Sequence, residues 1–282
     1  MNTENSKQTP IRIIFLVLAL ITVGILYRES LGHLLYAVMN REGSSHGIFV
    51  PFISAYFIWL NHKALAKIRP EFNMFGLIII AIGLVPVFFS GWPYQLHILG
   101  FIIYLSGAVL LILGWSFYKE ISFPLYFLIS LTPIPDDIYL DLAETIRVIS
   151  FGGSRIVISI LGIPFFHEGN LIHLHNATLE VAIGCSGIRY LVSYFVFSFA
   201  YAYLFKSVLW SRLAVVVSSI FISLIASVGR LSSIFILTHY ISPKMAEHWP
   251  HVIISWTVFF VVLIIAIGAD QYFQNRKDIR QD

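Results

Sequence analysis

Long apolar runs separated by short polar breaks dominate this chain. Stretches near 11–28, 47–61, 74–91, 95–117, 120–135, 186–205, 212–239 and 251–273 are rich in Leu, Ile, Val, Phe and Ala. Each reads as a membrane-crossing helix, because about 20 helical residues cover the ~30 Å hydrocarbon core. The pattern predicts an all-α polytopic membrane protein of about eight transmembrane helices. The second and fifth of these runs are the short ones.

One interval, roughly 134–184, breaks the pattern. It opens with Pro133-Ile134-Pro135-Asp136-Asp137, where proline stops the preceding helix and the two aspartates read as a solvated turn. Asp141 to Leu161 then predicts a short amphipathic helix, with Leu142, Ile146, Ile149, Ile156 and Ile160 on its apolar face. Gly162, Pro164 and Glu168-Gly169-Asn170 mark turns. The alternating runs Leu171–His175 and Thr178–Ala182, split by Asn176, predict a small hairpin leading into Cys185.

Composition agrees with the membrane reading. The chain is 58% hydrophobic and 12% charged, with a mean hydropathy of +0.83. A soluble domain of that balance would expose large apolar patches. The net charge of +3 is scattered over short loops, so no basic face for nucleic acid is expected.

The basic residues carry a topology instead. Lys7, Arg12, Lys63, Lys67, Arg69, Lys119, Lys206, Arg212, Arg276, Lys277 and Arg280 fall on one side of an eight-span arrangement. Fewer, Arg28, Arg41, Arg147, Arg155 and Lys244, fall on the other. That bias predicts both termini in the cytoplasm and the 134–184 interval outside. Met1–Pro10 is polar and the first run has no small-x-small cleavage site after it, so it reads as a retained span. The expected organisation is one integral membrane domain, 1–282, without an appended soluble domain.

The topology brings chemistry together. Cys185 is the one cysteine, so it forms no internal disulfide and acts by packing or by reactivity. It stands at the outer end of the sixth run, and Arg230 lies about 27 Å along a seventh helix that starts at Arg212 and points outward. His251 begins the eighth run, with His248 as an alternative three residues earlier. A thiol, a guanidinium and an imidazole at one depth suit nucleophilic acyl transfer. The sulfur attacks a carbonyl, the imidazole moves the proton, and the guanidinium holds the oxyanion. Arg189, one turn beyond Cys185, adds to the positive field. Each residue also has a plain reading: a small packing cysteine, a snorkelling arginine, a capping histidine.

Several motifs resemble the exosortase/archaeosortase family of polytopic membrane cysteine transpeptidases. Ser45-His46-Gly47-Ile48-Phe49-Val50-Pro51 is similar to the family's S-H-G-x-x-V-P segment, and Phe123–Leu128 with Pro133-Ile134-Pro135 to its F-P-x-x-F-L…P-x-P stretch. Cys185-Ser186-Gly187-Ile188-Arg189-Tyr190 resembles the C-S-G-[IL]-R core. Ser227-Val228-Gly229-Arg230 stands where the family has N-x-x-R, and His251–Trp256 where it has H-x-x-x-G-W. Ser227 and Ser255 depart from the usual Asn and Gly. The resemblance implies Cys185 as nucleophile, Arg230 and His251 as its catalytic partners, and Arg189, Ser186, Ser227 and His46 as substrate-binding or supporting residues. It implies no cofactor. Its implied partners are exported proteins ending in a short motif, a membrane helix and a basic tail (the PEP-CTERM type), cleaved at the outer face of the cell inner membrane and passed to an acceptor or to water.

Other readings compete. The same segments suit a non-catalytic component of export or exopolysaccharide assembly. A small-molecule transporter would use Arg230 as a charge partner, but the chain shows no internal repeat. His167, His173 and His175 with Glu168 or Glu180 invite a metal site, yet no H-E-x-x-H occurs and none is expected.

Overall fold

The computed structural model describes residues 3–40, 44–89 and 91–278. They form ten α-helices and one small sheet: α1 Thr3–Leu26, α2 Arg28–Asn40, α3 Phe49–Leu60, α4 His62–Leu65, α5 Phe75–Leu84, α6 Tyr94–Phe127, α7 Asp136–Ile160, β1 Phe165–Glu168, β2 Leu171–Leu174, β3 Thr178–Glu180, α8 Ile188–Phe205, α9 Leu209–Tyr240 and α10 His248–Asp278. The chain divides into two compact units, Met1–Pro135 and Asp136–Asp282.

Four helices among the described residues are long and apolar enough to cross a membrane: Tyr94–Leu131, Ile183–Phe205, Leu209–Tyr240 and Trp249–Tyr272. Ile14–Leu26 and Arg28–Asn40, bent by 74°, make a fifth if they count as one span. Two further apolar helices, His46–Leu60 and Phe75–Phe88, are shorter. The helical membrane architecture is therefore present, with four to five spans meeting the full length criterion rather than eight.

In the first unit, α6 joins two of the expected runs. Its backbone leaves helical geometry at Gly114 (φ 83°, ψ 176°), a left-handed conformation that glycine adopts without a Cβ penalty. Tyr118 hydrogen-bonds Ser106 across that break. In a straight helix the two would stand about 18 Å apart along the axis, so the chain bends sharply at Gly114. The α5 helix packs on the part before the bend through glycines. A Cβ at Gly76 would come 2.6 Å from the Gly107 carbonyl oxygen, and one at Gly83 would come 2.6 Å from the Tyr104 nitrogen. Such small-residue contacts let membrane helices approach backbone to backbone. The α3 helix packs beside the later part, with Ser54 Oγ donating to the Pro124 carbonyl at 2.8 Å.

In the second unit, α7 runs from Asp136, so the aspartate pair opens a helix rather than a free turn. Acidic residues in a first turn complement the helix dipole. The expected apolar face is split, with Ile146 buried and its other four members exposed. Ala143, Ile146, Ser150, Phe151, Ser154 and Ile158 are buried, whereas Leu142, Ile149, Ile156 and Ile160 are exposed. Small residues win the helix contact, as at Gly153, whose Cβ would come 2.7 Å from Val228 of α9. The larger apolar side chains are left facing outward.

The sheet that follows is antiparallel, in the order β1-β2-β3. The expected hairpin is present, with His173 opposite Thr178. A third strand, β1, joins it through Gly169 at φ 57°, with Phe166 opposite His173. Ile163, Ile172, Leu174 and Val181 pack with Phe151 and Ile158 of α7 and Leu231 and Phe235 of α9. Asn176 Nδ2 donates to the Thr238 carbonyl at 2.7 Å and so ties the β2–β3 loop to the last turn of α9. The sheet thereby fixes the polypeptide that enters Cys185.

Candidate active site

A tight turn delivers the thiol. Cys185 N donates to the Ala182 carbonyl at 2.8 Å and Ser186 N to the Ile183 carbonyl at 2.9 Å. Gly187 then reverses the chain at φ 87°, and its carbonyl accepts the first helical bond of α8, from Tyr190 N at 2.9 Å. Ser186 is fully buried, and its Oγ accepts from Ile188 N at 3.3 Å. Cys185 is half-buried and rests on the cluster formed by α7, the sheet and α9.

Arg230 reaches this turn from α9. It is 2% exposed, and its Nη2 donates to the backbone carbonyl of Cys185. Its guanidinium also lies over the Tyr190 ring, 5.5 Å from the centroid, a cation–π arrangement that adds attraction in a desolvated setting. Burial of a permanent charge at this depth demands such partners. One turn earlier, Ser227 Oγ donates to the Ser223 carbonyl at 2.9 Å within its own helix.

His251 stands in the first turn of α10. Its ring lies within the electrostatic reach of Arg230 and of Arg189, and it shares a hydrogen bond with the Ala246 backbone. Tyr190 joins this helix to the turn, because its OH donates to the Ser255 carbonyl. Ser255 Oγ in turn donates to the His251 carbonyl at 2.7 Å. One turn along, Tyr194 OH donates to the Phe259 carbonyl at 2.7 Å. These two bonds, four residues apart on both helices, fix the register of α8 against α10.

Cys185, Ser186, Arg189, Ser227, Arg230 and His251 therefore all fall in the second unit. Arg189 is exposed, and its Nη2 donates back to the Gly184 carbonyl at 3.3 Å. His46 belongs to the first unit, where its Nε2 lies 3.2 Å from the Ser130 carbonyl oxygen. The side chain of His248 lies outside the described residues. The histidines of the sheet do not converge. His167 pairs with Arg155, His173 Nδ1 lies 2.9 Å from Thr178 Oγ1, and His175 falls beyond the end of β2. No group of three metal-ligating side chains comes together among the described residues.

The match that accompanies this geometry is to the transmembrane exosortase family, whose model covers residues 38–268. The chain belongs to the transmembrane exosortase family. No curated protein and no solved structure matches the sequence alongside it. In this member of the family the matched region includes the cysteine turn, the arginine helix and the start of α10.

Two residues without a role in the sequence reading stand out. Tyr190 touches three helices at once, through its own backbone, the Arg230 guanidinium and the Ser255 carbonyl. Its place directly after the C-S-G-I-R core was the available signal. Arg147 of α7 binds Glu144 through Nε at 2.8 Å and reaches the Val181 carbonyl at 3.5 Å. Hydrogen bonding to that guanidinium, above all, holds the Glu144 carboxyl below the usual carboxylate range. Arg147 thus steadies the strand end four residues before the thiol, and nothing in its sequence neighbourhood marks it.

Proposed function

We propose that this exosortase is a cysteine transpeptidase that removes C-terminal sorting signals from exported proteins. The observation that carries the reading is the direct tie from Arg230 to the Cys185 carbonyl, with His251 in the field of the same guanidinium. Family membership supports it.

The chemistry follows from the groups present. The Cys185 sulfur, as thiolate, attacks the scissile carbonyl and its electron pair moves to oxygen. The resulting oxyanion is stabilised by guanidinium charge, which persists at any working pH. Collapse breaks the C–N bond, and the leaving amine takes a proton from the His251 imidazolium. An acyl-thioester remains on Cys185. An acceptor nucleophile then loses its proton to His251, attacks the thioester carbonyl and releases the thiolate. Water in that place makes the same cycle a hydrolysis. Arg189, Ser186 and Ser227 support the turn, and His46 takes a supporting role on the family resemblance alone.

The substrates in this reading end in a short motif, a transmembrane helix and a basic tail of the PEP-CTERM type. Such a helix is recognised by lateral packing in the bilayer. The enzyme sits in the cell inner membrane with both termini cytoplasmic and the thiol at the periplasmic face, the orientation that the basic residues favour. Arg41 and Arg280, two of those residues, lie outside the described residues. The count of eight spans belongs to this reading as well. The bend at Gly114 divides Tyr94–Leu131 into two lengths near 20 residues, and His46–Leu60 and Phe75–Phe88 add two shorter crossings.

The test is co-expression of a substrate bearing such a tail with wild type or Cys185→Ala. The expected result is tail removal in wild type alone, with an acyl adduct trapped on the Cys185 peptide by mass spectrometry. Equal processing by a folded Cys185→Ala protein would overturn the assignment and favour a non-catalytic assembly component.

A further inference from the structure

Away from the thiol, α7 and β1 enclose a groove of about 440 Å³ lined in part by Arg155, Ile156, Ser159, Ile160, Phe165 and His167. Arg155 is its cation. Nη1 of Arg155 is engaged by His167 Nε2, and the guanidinium lies 5.0 Å from the centroid of Phe151. Nε of Arg155 is shut off from water and has no hydrogen-bond partner. Among the described residues no carboxylate lies within ion-pair distance of it. The guanidinium carries five N–H donors, so it retains capacity for an anion with several acceptor oxygens.

The setting specifies what kind of anion. Ile138, Leu142, Ile149, Ile156 and Ile160 recur at helical spacing on one face of α7 and are 38 to 79% exposed. The helix is not among those apolar enough to cross a membrane, and it carries Asp137, Asp141, Glu144 and Arg155 as well. An apolar stripe bordered by charge is the signature of a helix lying in the bilayer interface. Arg155 shares the groove with Ile156, Ile160 and Phe165, a cation beside apolar side chains, which is the pairing that a lipid's phosphate and first acyl methylenes call for.

We propose that this groove binds the headgroup phosphate of an anionic phospholipid, with Arg155 on the phosphate oxygens and Ile156, Ile160 and Phe165 against the first acyl methylenes. The site is separate from the cysteine chemistry and does not depend on it. Its effect is to seat α7, and with it the sheet that leads to Cys185, against the membrane surface.

Purified full-length protein in detergent, titrated with dioleoylphosphatidylglycerol and followed by native mass spectrometry, tests this. Dioleoylglycerol supplies the same chains without phosphate, and inorganic phosphate supplies the anion without chains. One retained phosphatidylglycerol is expected, bound at least about tenfold more tightly than either control. Arg155→Gln should weaken it about tenfold. Ile156→Asp, a change at an exposed position, should do the same by repelling the phosphate, and it decides the matter if Arg155→Gln does not fold. Undiminished retention in Ile156→Asp and in any folded Arg155→Gln would overturn the site. Equal binding of dioleoylglycerol would reduce it to a greasy surface, and equal binding of inorganic phosphate would remove the lipid; either result overturns the proposal.

Discussion

Ser227 Oγ occupies the space in which a side chain at Gly187 would begin: a Cβ built on Gly187 would lie 2.0 Å from it and 2.6 Å from Ser227 Cβ. The turn after the thiol is thus pressed onto α9 one helical turn before Arg230. Two demands fall on Gly187 together, a left-handed backbone and a missing Cβ. Gly187→Ala should cost roughly 2–4 kcal/mol from combined strain and overpacking. Thermal unfolding in detergent should show it, with loss of substrate processing. Ser227→Ala, whose hydroxyl bonds only its own helix, should stay within about 1 kcal/mol of wild type. A neutral Gly187→Ala would mean that the contact is slack.

Removing the Arg230 guanidinium takes the donor from the Cys185 carbonyl and the charge from the site. Arg230→Lys keeps a charge but not the planar fork. Single-turnover tail removal by Arg230→Lys should fall about 100-fold or more. Wild-type rates in that variant would assign Arg230 to packing alone.

His251 and His248 are separable by the same assay. His251→Ala should lower single-turnover processing by about 10²–10⁴, while His248→Ala should leave it within a few-fold. The reverse pattern would transfer the acid–base role to His248.

These predictions rest on different depths of sequence legibility. The membrane helices were readable because the bilayer demands long apolar runs, and α8, α9 and α10 begin close to where the hydropathy changes. Helix α2 was not, because Arg28, Glu29, His33 and Asn40 dilute its apolar residues. Counting helical rise and direction predicts one depth for Cys185, Arg230 and His251; the tie of Arg230 Nη2 to the Cys185 carbonyl is not in that count. Which face of α7 meets the protein was not legible in its apolar periodicity: the apolar-in rule belongs to water, whereas here Ala143, Ser150, Gly153 and Ser154 make the helix contact. Strand β1 was missed because Phe165–Glu168 is only four residues long, and the turn signals on either side of it suit a loop equally well. No one-dimensional signal links Gly187 to Ser227 or Arg147 to Val181.

The Arg147–Glu144 pair gives a pH dependence. Hydrogen bonding to Arg147 lowers the Glu144 carboxyl from its ordinary 4.5. A carboxylate with a lowered folded-state value contributes stability above its unfolded value, and that contribution is lost as pH falls through the folded value. Protection of Val181–Cys185 amides from hydrogen exchange should therefore weaken below about pH 4.5 in wild type. Glu144→Gln should flatten that dependence, and Arg147→Ala should remove the protection even at neutral pH. An unchanged acid profile in Glu144→Gln would place the pH sensitivity elsewhere.

At the far end of α8, Lys206 Nζ lies 2.7 Å from both oxygens of Asp270, with the lysine side chain 8% exposed and the aspartate 28%. Tyr201 OH donates to the same carboxylate at 2.7 Å. Asp270→Asn leaves the ammonium without its counter-charge. About 2–3 kcal/mol of destabilisation is expected, below the ~3–5 kcal/mol of a fully buried pair because Asp270 is partly exposed. A melting temperature in detergent unchanged from wild type would show the pair to be idle.

Helix α8 is therefore anchored twice: the Cys185–Gly187 turn is held against α9 at one end, and Lys206 is clamped to α10 at the other. A beam fixed at both ends does not swing. Under the proposed chemistry the sulfur is a stationary anvil, and the travelling part is the polypeptide to be cut. Selectivity then lies with any client whose pliant stretch, just outside its membrane helix, is long enough to be drawn across that fixed point.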